Sequence, residues 1–464
     1  SVANATANTI SGAGQLRLNA ARFFNVADGA APVDMAVSAI LADGTGSGAL
    51  TKTGLGVLVL AGSNIYTGTT AVNEGVLSIS LTNALPGWDT AGRFTVASGA
   101  ALVIGNAVNN SAIPVLLGTG NFAVGASIGF DTSAGNRTYA PILADVGAGP
   151  LGVAKVGANT LTLTATNTYT GALTVYAGNV SIPYTNALPG WDTNGRYLVC
   201  SNAALAVGNA VSNAVIATML ATTNFADGAG IGFDTVLGNR SYANVLSNTV
   251  NGALGVAKVN ANTLTLTGTN TYDGVTAVNV GTLLINNASA LGTTNGNTVI
   301  YSTGNLTNGA QLALSGGITV AEPIVITGPG DASPYNLALQ TAGGGGSNTL
   351  TGPVTIATSG GVRLGAAGAG TVLVFNGPFK RTTAVNTLQA TVGGDGGLVI
   401  FNTRIDNNGG DLQLPGGGLG TVLLNVASNN IGNVQIAGKH ILRLGVSDAL
   451  AANKQVQIGY ESAW

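Results

Sequence analysis

Charged side chains are scarce in this chain of 464 residues. Asp, Glu, Lys and Arg together make up 7% of the sequence, against about 25% in ordinary soluble domains. The formal net charge is −2, and the 16 basic residues form no basic run. The sequence therefore lacks the positive surface that nucleic acids and anionic membranes attract, and we expect no nucleic-acid partner.

Residue types that carry catalysis and metal binding are nearly missing. His440 is the one histidine and Cys200 the one cysteine, which leaves no internal disulfide, no site built from several histidines, and Ser-His-Asp chemistry only through His440. We expect His440 to be exposed and inert in a turn, and we expect neither a metal nor a cofactor. No apolar run is long enough for a transmembrane helix, and aromatics at 5% are too few for the girdles of a membrane barrel. We therefore expect no membrane insertion by this segment.

One stretch of alternating threonine and aliphatic residues occurs three times. Residues 160–182 read TLTLTATNTYTGALTVYAGNVSI, and related stretches occupy residues 57–79 and 263–285. A lysine introduces each copy, at Lys52, Lys155 and Lys258, with equal steps of 103 residues between them (155 − 52 and 258 − 155). A fixed period of this kind indicates a repeat architecture.

Inside one copy the pattern predicts short strands separated by sharp corners. Leu161 and Leu163 alternate with threonines, which is typical of a half-buried strand. Asparagine and glycine tolerate the left-handed backbone that a sharp bend needs. We predict a structural role, as corner and ladder residues, for Asn64, Tyr66, Gly68, Asn167, Tyr169, Gly171, Asn270, Tyr272 and Gly274.

Three short strands with bends between them make roughly one coil of a β-solenoid. Such a coil buries its apolar face only against coils above and below it, at a spacing of about 4.8 Å. Ladders of Thr, Ser and Asn avoid the repulsion between stacked like charges, which explains the shortage of charge. We predict an all-β chain, a parallel β-helix of about 20 coils with about 22 residues in each.

The repeats also predict how the chain is divided. Residues 1–51 resemble the end of an incomplete preceding repeat, and residues 52–154 and 155–257 form two solenoid repeat units. Residues 258–464 begin a third repeat and continue irregularly in one continuous solenoid, with a degraded fourth copy at residues 421–450. The sequence stops at Trp464 without an obvious polar cap, so we expect the native polypeptide to extend further or another copy to stack there.

Residues 52–79, 155–182 and 258–285 closely follow the pattern K-x-G-x-x-x-L-x-L-x-x-x-N-x-Y-x-G-x-x-x-V-x-x-G-x-L-x-I, which resembles the passenger-associated transport repeat of bacterial autotransporter-type surface proteins. The resemblance implies a right-handed parallel β-helix that is secreted or displayed at the cell surface, and it implies no single activity. We therefore predict an extracellular structural or adhesive solenoid, a rod or fibre subunit without catalysis, which self-associates into a larger assembly.

Two other functions follow from the recurring aspartates. In a glycan-binding passenger, Trp88 and Trp191 would be sugar-stacking platforms beside Asp89 and Asp192. In the structural alternative, which duplication favours, the aspartates cap corners with arginines as local partners. A polysaccharide lyase or glycosidase is less well supported, because a glycosidase needs one carboxylate pair in one cleft. The recurring pairs are Asp89 with Arg93, Asp192 with Arg196, Asp131 with Arg137, and Asp234 with Arg240.

Overall fold

The chain folds into two compact units of short strands, residues Ser1–Ala226 and Asp227–Trp464. The predicted division at residues 154 and 257, and a single continuous solenoid, stay predictions. The structure is a computed structural model, and it describes residues 6–147, 149–301, 309–328, 337–343, 345–383, 386–390, 396–415 and 419–459. Trp464, where we expected an uncapped end, lies outside these ranges.

The first unit contains mostly strands of three to five residues. Two 3₁₀ turns, Thr82–Ala84 and Thr185–Ala187, and two short helices, α1 (Ala112–Gly118) and α2 (Asn213–Leu220), interrupt them. The strands are β1 (Asn8–Ile10), β2 (Gln15–Leu18), β3 (Ala21–Asn25), β4 (Met35–Val37), β5 (Ile40–Asp43), β6 (Ala49–Thr53), β7 (Val57–Leu60), β8 (Thr70–Val72), β9 (Val76–Ile79), β10 (Phe94–Val96), β11 (Ala101–Ile104), β12 (Ser127–Asp131), β13 (Arg137–Tyr139), β14 (Gly152–Val156), β15 (Thr160–Leu163), β16 (Leu173–Val175), β17 (Asn179–Ile182), β18 (Tyr197–Val199) and β19 (Ala204–Val207).

The second unit continues with strands of the same kind. They are β20 (Gly230–Asp234), β21 (Arg240–Tyr242), β22 (Gly255–Val259), β23 (Thr263–Leu266), β24 (Thr276–Val278), β25 (Gly281–Ile285), β26 (Thr298–Ile300), β27 (Ala310–Leu314), β28 (Thr319–Val320), β29 (Ile324–Ile326), β30 (Leu339–Thr341), β31 (Gly346–Leu350), β32 (Val354–Ile356), β33 (Val362–Ala366), β34 (Thr371–Phe375), β35 (Phe379–Arg381), β36 (Leu388–Ala390), β37 (Gly397–Phe401), β38 (Ile405–Asp406), β39 (Leu412–Leu414), β40 (Leu419–Leu424), β41 (Val434–Ile436), β42 (Lys439–Leu444) and β43 (Val456–Ile458).

Strands of successive coils pair in parallel and stack identical positions into columns. In the second unit, the column running through β23, β25, β27, β30 and β33 consists entirely of leucine. Each of these side chains is fully buried, so each coil completes the apolar core of its neighbours. The column comprises Leu264, Leu283, Leu312, Leu339 and Leu364.

The predicted all-β parallel solenoid is confirmed, but the coils between the repeats are longer than predicted. The chain makes about 17 turns, fewer than the 20 we expected. One turn takes the chain from Ile79 to Ile104, and the next from Ile104 to Phe130, which exceeds 22 residues. Part of the extra length forms α1, a helix that the sequence pattern did not predict.

The repeat period does not equal a whole number of turns. β6, which carries Lys52, pairs with β3 and β8. Its counterpart β14, which carries Lys155, belongs instead to the sheet of β7, β9, β11 and β12. Because β7 follows β6 on the next side of the coil, and β14 lies four turns after β7, one period covers four turns plus one side. The two copies therefore lie on neighbouring sides of the solenoid.

The lysine that introduces each repeat is fully buried at a corner of its coil. Lys155 Nζ donates to the carbonyls of Val156 (3.1 Å) and Gly157 (2.7 Å), and to that of Ala177 (2.8 Å) on the next coil. Lys52 and Lys258 make the equivalent three bonds. Burial lowers the pKa of Lys52 and Lys155 to about 8 and that of Lys258 to about 7. The sequence marked these positions but did not predict their burial.

Candidate functional site

The repeated asparagines lie at corners where each one ties three coils together. Asn167 Oδ1 accepts a hydrogen bond from the Leu143 amide (2.9 Å), and its Nδ2 donates to the Ala187 carbonyl (2.8 Å). Asn64 and Asn270 make the matching pairs of bonds. Both functional groups of each side-chain amide are thus engaged with backbone, as a structural corner requires.

Tyrosine and glycine complete the same corners. Tyr66 and Tyr272 are buried, and their hydroxyls bond to Thr70 (2.5 Å) and Thr276 (2.6 Å). Tyr169 is equally buried, but its hydroxyl has no hydrogen-bond partner among the described residues. Burial raises the pKa of Tyr66 to about 12, so the phenol is neutral at physiological pH.

The asparagine–tyrosine–glycine corner requires glycine at its end because the backbone of a neighbouring coil leaves no room for a Cβ. A Cβ added to Gly171 would lie 2.3 Å from the Leu151 carbonyl oxygen. Gly68 and Gly274 meet the same obstacle, with approaches of 2.2 and 2.5 Å. Any side chain there would force the coils apart.

The two tryptophan corners follow the 3₁₀ turns and present one acidic group each. Trp88 and Trp191 are half-buried, and Asp89 and Asp192 beside them are exposed. Each aspartate Oδ1 accepts a bond from the hydroxyl of the next residue, a threonine, at 3.1 Å. A half-buried ring with an exposed carboxylate beside it can in principle stack on a sugar and accept hydroxyl bonds.

The neighbouring arginines do not pair with these aspartates as we expected. Arg93 donates to the Thr67 carbonyl of the preceding coil and packs against Gly87, where an added Cβ would lie 2.8 Å from its side chain. Its charge acts on Asp43, whose pKa is lowered mainly by bonds from the Gly48 and Thr67 amides, with a smaller contribution from Arg93. Short-range partners of an arginine across coils are not visible in a linear sequence.

At the second recurring corner the aspartate does cap backbone. Asp131 Oδ1 accepts a bond from the Ser133 amide (2.8 Å). Arg137 is buried, lies over the Phe130 ring at 5.5 Å, and donates to the carbonyls of Gly105 (3.0 Å) and Val108 (2.8 Å). This guanidinium therefore clamps two coils together and does not face a ligand.

The two tryptophan corners face different directions. The first follows β9, which pairs with β7 and β11, and the second follows β17, which pairs with β15 and β19. These strands belong to different sheets, as the extra side in each period requires. Trp88 and Trp191 therefore cannot both press against one flat surface.

His440 is buried, which corrects our expectation of an exposed histidine. It lies in β42, opposite Gly420 of β40, with its side chain turned inward, and burial lowers its pKa. Within the described ranges, His, Cys, Asp and Glu form no group of three that could hold a metal ion. Over the same part of the chain, no helix has the length and apolar character to cross a bilayer.

Three segments of the chain match the family model described as passenger-associated-transport-repeat, at residues 50–79, 153–182 and 256–285. The chain carries passenger-associated-transport-repeats of the autotransporter type. In the structure each repeat runs from the strand with the buried lysine to the third following strand, such as β14 to β17. The repeat therefore covers the lysine, the asparagine corner and the glycine contact between coils.

The passenger-repeat chain is also similar to a curated relative, the adhesin BmaC autotransporter of Brucella suis biovar 1 (strain 1330). The two are 29% identical over 257 residues, which is 52% of this chain and 7% of the relative. The chain thus spans only a small part of the length of that protein. No solved structure matches the chain.

Proposed function

We propose that this chain is an extracellular segment of an adhesive autotransporter passenger, in which the solenoid serves as a stiff adhesive rod. The observation that carries the proposal is the set of passenger-associated-transport-repeats built into parallel coils. Similarity to an autotransporter named as an adhesin supports the adhesive part.

The side chains on the surface support a mechanical and non-catalytic role. Asp89 and Asp192 lie a whole repeat apart and face different sides, whereas a glycosidase holds two carboxyl groups about 5–9.5 Å apart in one cleft. Asp131 caps a corner. In the described part of the chain, the acidic residues of the repeat thus either cap a corner or lie without a second carboxylate nearby, and neither arrangement is that of a glycosidase site.

The adhesive role can be tested by displaying the chain on a non-adherent bacterium and counting bacteria that remain on host cells and on extracellular matrix after washing. A β-solenoid of equal length without these repeats, displayed in the same way, is the control. We expect adhesion well above the control. Adhesion no higher than the control would show that the segment is only a spacer.

Glycan contact at the tryptophan corners is a second candidate function. It is favoured by the half-buried rings of Trp88 and Trp191 beside exposed carboxylates. A Trp88→Ala, Trp191→Ala double variant should lose binding on a glycan array, while Tyr176→Ala, which removes an exposed aromatic elsewhere, should not. Equal binding by all three proteins would eliminate the tryptophan corners as sugar sites.

Self-association into a fibre is supported by aliphatic side chains exposed in turns between strands, among them Leu237 (73% exposed) and Val250 (68% exposed). Replacing both by lysine should abolish assemblies that the unaltered chain forms at high concentration. Electron microscopy and sedimentation of the two proteins make the test. Isolated short particles from the unaltered chain would argue against polymerisation.

A further inference from the structure

A cleft with a volume of about 420 Å³ lies at a corner of the second unit. Its volume is in the range of small-molecule sites, about 300–1,000 Å³. Charged and polar groups line it together with the aliphatic residues Ile431 and Leu450. The charged and polar groups are Arg404, Ser428, Asn430, Asp448 and Lys454.

The cleft is built on the corner of the degraded fourth repeat. Asn429 takes the place of the repeat asparagines: its Oδ1 accepts from the Ile405 amide (2.7 Å) and its Nδ2 donates to the Ala449 carbonyl (3.0 Å). Ile431 then stands where the three well-kept copies have a tyrosine, and it is buried beneath the cleft. This corner therefore keeps the asparagine hydrogen bonds of a repeat corner but differs from it in the side chain at the tyrosine position.

Two backbone turns fix the walls of the cleft. Ser428 and Asp448 both adopt left-handed backbone conformations, with φ of 60° and 57°. The Ser428 amide donates to the Asp448 carbonyl at 2.9 Å. Non-glycine residues held in this conformation cost about 1 kcal/mol or more each, and they persist here because the corner hydrogen bonds hold the turns.

Two cations share the cleft although the whole chain has only 16 basic residues. In the described part of the chain, neither Arg404 nor Lys454 has a side-chain hydrogen bond or an ion pair. Like charges that line one cleft repel, and an anion bound between them removes that repulsion while accepting charge-assisted hydrogen bonds. Asp448 also lines the cleft, so the charged side chains leave one net positive charge, which suits a ligand with a carboxylate.

We propose that this cleft binds an acidic saccharide, with the sugar carboxylate held by Arg404 and Lys454. Asp448, Ser428 and Asn430 Oδ1 supply hydrogen-bonding groups for ring hydroxyls, while Asn430 Nδ2 is held by Asp406. The half-buried Leu450 accepts the apolar face of a pyranose. An acidic peptide fits less well, because it lacks the ring hydroxyls that Asp448 and Ser428 would bind. The inference deepens the proposed adhesive function by naming a ligand class.

The test measures binding of methyl glucuronide and oligogalacturonate to the full chain by calorimetry, with methyl glucoside as the neutral comparison. Arg404→Gln and Lys454→Gln should each weaken binding of the acidic sugars about tenfold or more, the range for a charge-assisted bond. Arg443→Gln, which removes an exposed arginine outside the cleft, should leave affinity unchanged. Affinity of the unaltered chain should fall as salt is raised.

Three results would overturn the proposal: no binding of either acidic sugar, equal binding of the neutral sugar, or unaltered affinity in both cleft variants. Polyglutamate that binds more tightly than oligogalacturonate, and loses affinity in the same variants, would show a peptide site instead. Cell adhesion measured on the same proteins separates the two proposals. Adhesion without acidic-sugar binding would refute the saccharide site and leave the adhesive role intact. Acidic-sugar binding without adhesion would refute the adhesive role and leave the saccharide site intact.

Discussion

The three repeats and the described part of residues 286–459 hold their coils together with partly different side chains. In the repeats, polar groups lie inside the corners: Lys155 and Asn167 are buried, and each binds backbone of more than one coil. The irregular region keeps one such corner, at Asn429, and adds a ladder of amides on an outward face and stacked aromatic rings within. Both regions bury aliphatic columns in parallel strands, so the column is the shared requirement and the corner chemistry can vary.

The irregular region carries a ladder of glutamines on one outward face. Gln389 Nε2 donates to Gln413 Oε1 at 2.9 Å, and Gln413 Nε2 donates to Gln435 Oε1 at 2.5 Å. Inside, the rings of Phe375 and Phe401 stack at 4.7 Å between centroids. Arg363 precedes these glutamines in the same ladder, and its Nε donates to Gln389 Oε1.

Even among the repeats, one hydrogen-bonded pair of corner side chains consists of different residues in different copies. Asp145 Oδ2 accepts from the Thr170 hydroxyl at 2.6 Å in the second copy. In the third copy Asn248 replaces the aspartate and donates its Nδ2 to Asp273 Oδ2, also at 2.6 Å. The acidic residue of the pair therefore lies on the other coil in the third copy, and the hydrogen bond between the two coils is kept.

The largest predicted effect falls on the aromatic cluster of the irregular region. Phe401→Ala removes a ring that stacks on Phe375 and meets Phe379 edge-on, so we expect a loss of about 3–5 kcal/mol in unfolding free energy. Chemical denaturation gives the value, and Phe23→Ala, at a 72% exposed position, is the control. A loss below about 1 kcal/mol would mean that this region does not depend on its aromatic packing.

The matching test in the repeats is Lys155→Met. It removes a charged donor from three part-buried carbonyls, of which that of Val156 keeps its bond from the Thr132 amide. We expect a loss of about 2–4 kcal/mol. Lys380→Met replaces an exposed lysine and should change stability by less than about 0.5 kcal/mol. Equal effects of the two substitutions would remove the distinction between repeat and surface lysines.

A pH profile should separate the two regions by the sign of its slope. Glu322 of the irregular region is buried, and burial raises its pKa to about 8 from an ordinary 4.5. Between these values the folded chain keeps a proton that the unfolded chain has lost, so stability falls as pH rises. Glu322→Gln should remove about 1–2 kcal/mol of this fall. If stability depended on pH in the same way in the unaltered chain and in Glu322→Gln, Glu322 would not be buried in its neutral form.

Lys258 should give the opposite slope. Its pKa in the folded chain, about 7, lies below the ordinary 10.5, so between these values the unfolded chain binds more protons and stability rises with pH. Compared with Lys258→Met, the unaltered chain should gain about 1 kcal/mol between pH 7 and about pH 10. The difference between the two denaturation curves isolates this residue, and a constant difference would contradict the prediction.

The smallest effect is expected in the glutamine ladder. Gln413→Ala removes two amide bonds on a half-exposed face, where water replaces them, so we expect a loss of about 0.5–1 kcal/mol. Thermal unfolding measures it. A loss comparable to that of Lys155→Met would show that the outer amides hold the coils as firmly as the buried corners.

The sequence predicted the elements that local patterns determine. Alternation at Leu161 and Leu163 gave strand β15, and the period gave the solenoid. The pattern could not show that Lys155 turns inward, because its acceptors lie on its own corner and on the next coil. The inward turn of His440 and the partners of Arg93 depend in the same way on strands distant in sequence. The cleft at Arg404 and Lys454 was not predicted either, since these residues meet only through coil stacking.

One repeat period covers four turns plus one side of the solenoid, so the loss of one repeat unit changes the direction in which later coils face. Recombination between the first two copies would delete residues 52–154 and join two equivalent lysine strands. Within the first unit, the coils downstream of the junction would then be rotated by about a third of a revolution relative to those upstream. Two variants of one gene that differ by a single unit would therefore turn different faces of these coils to the same side.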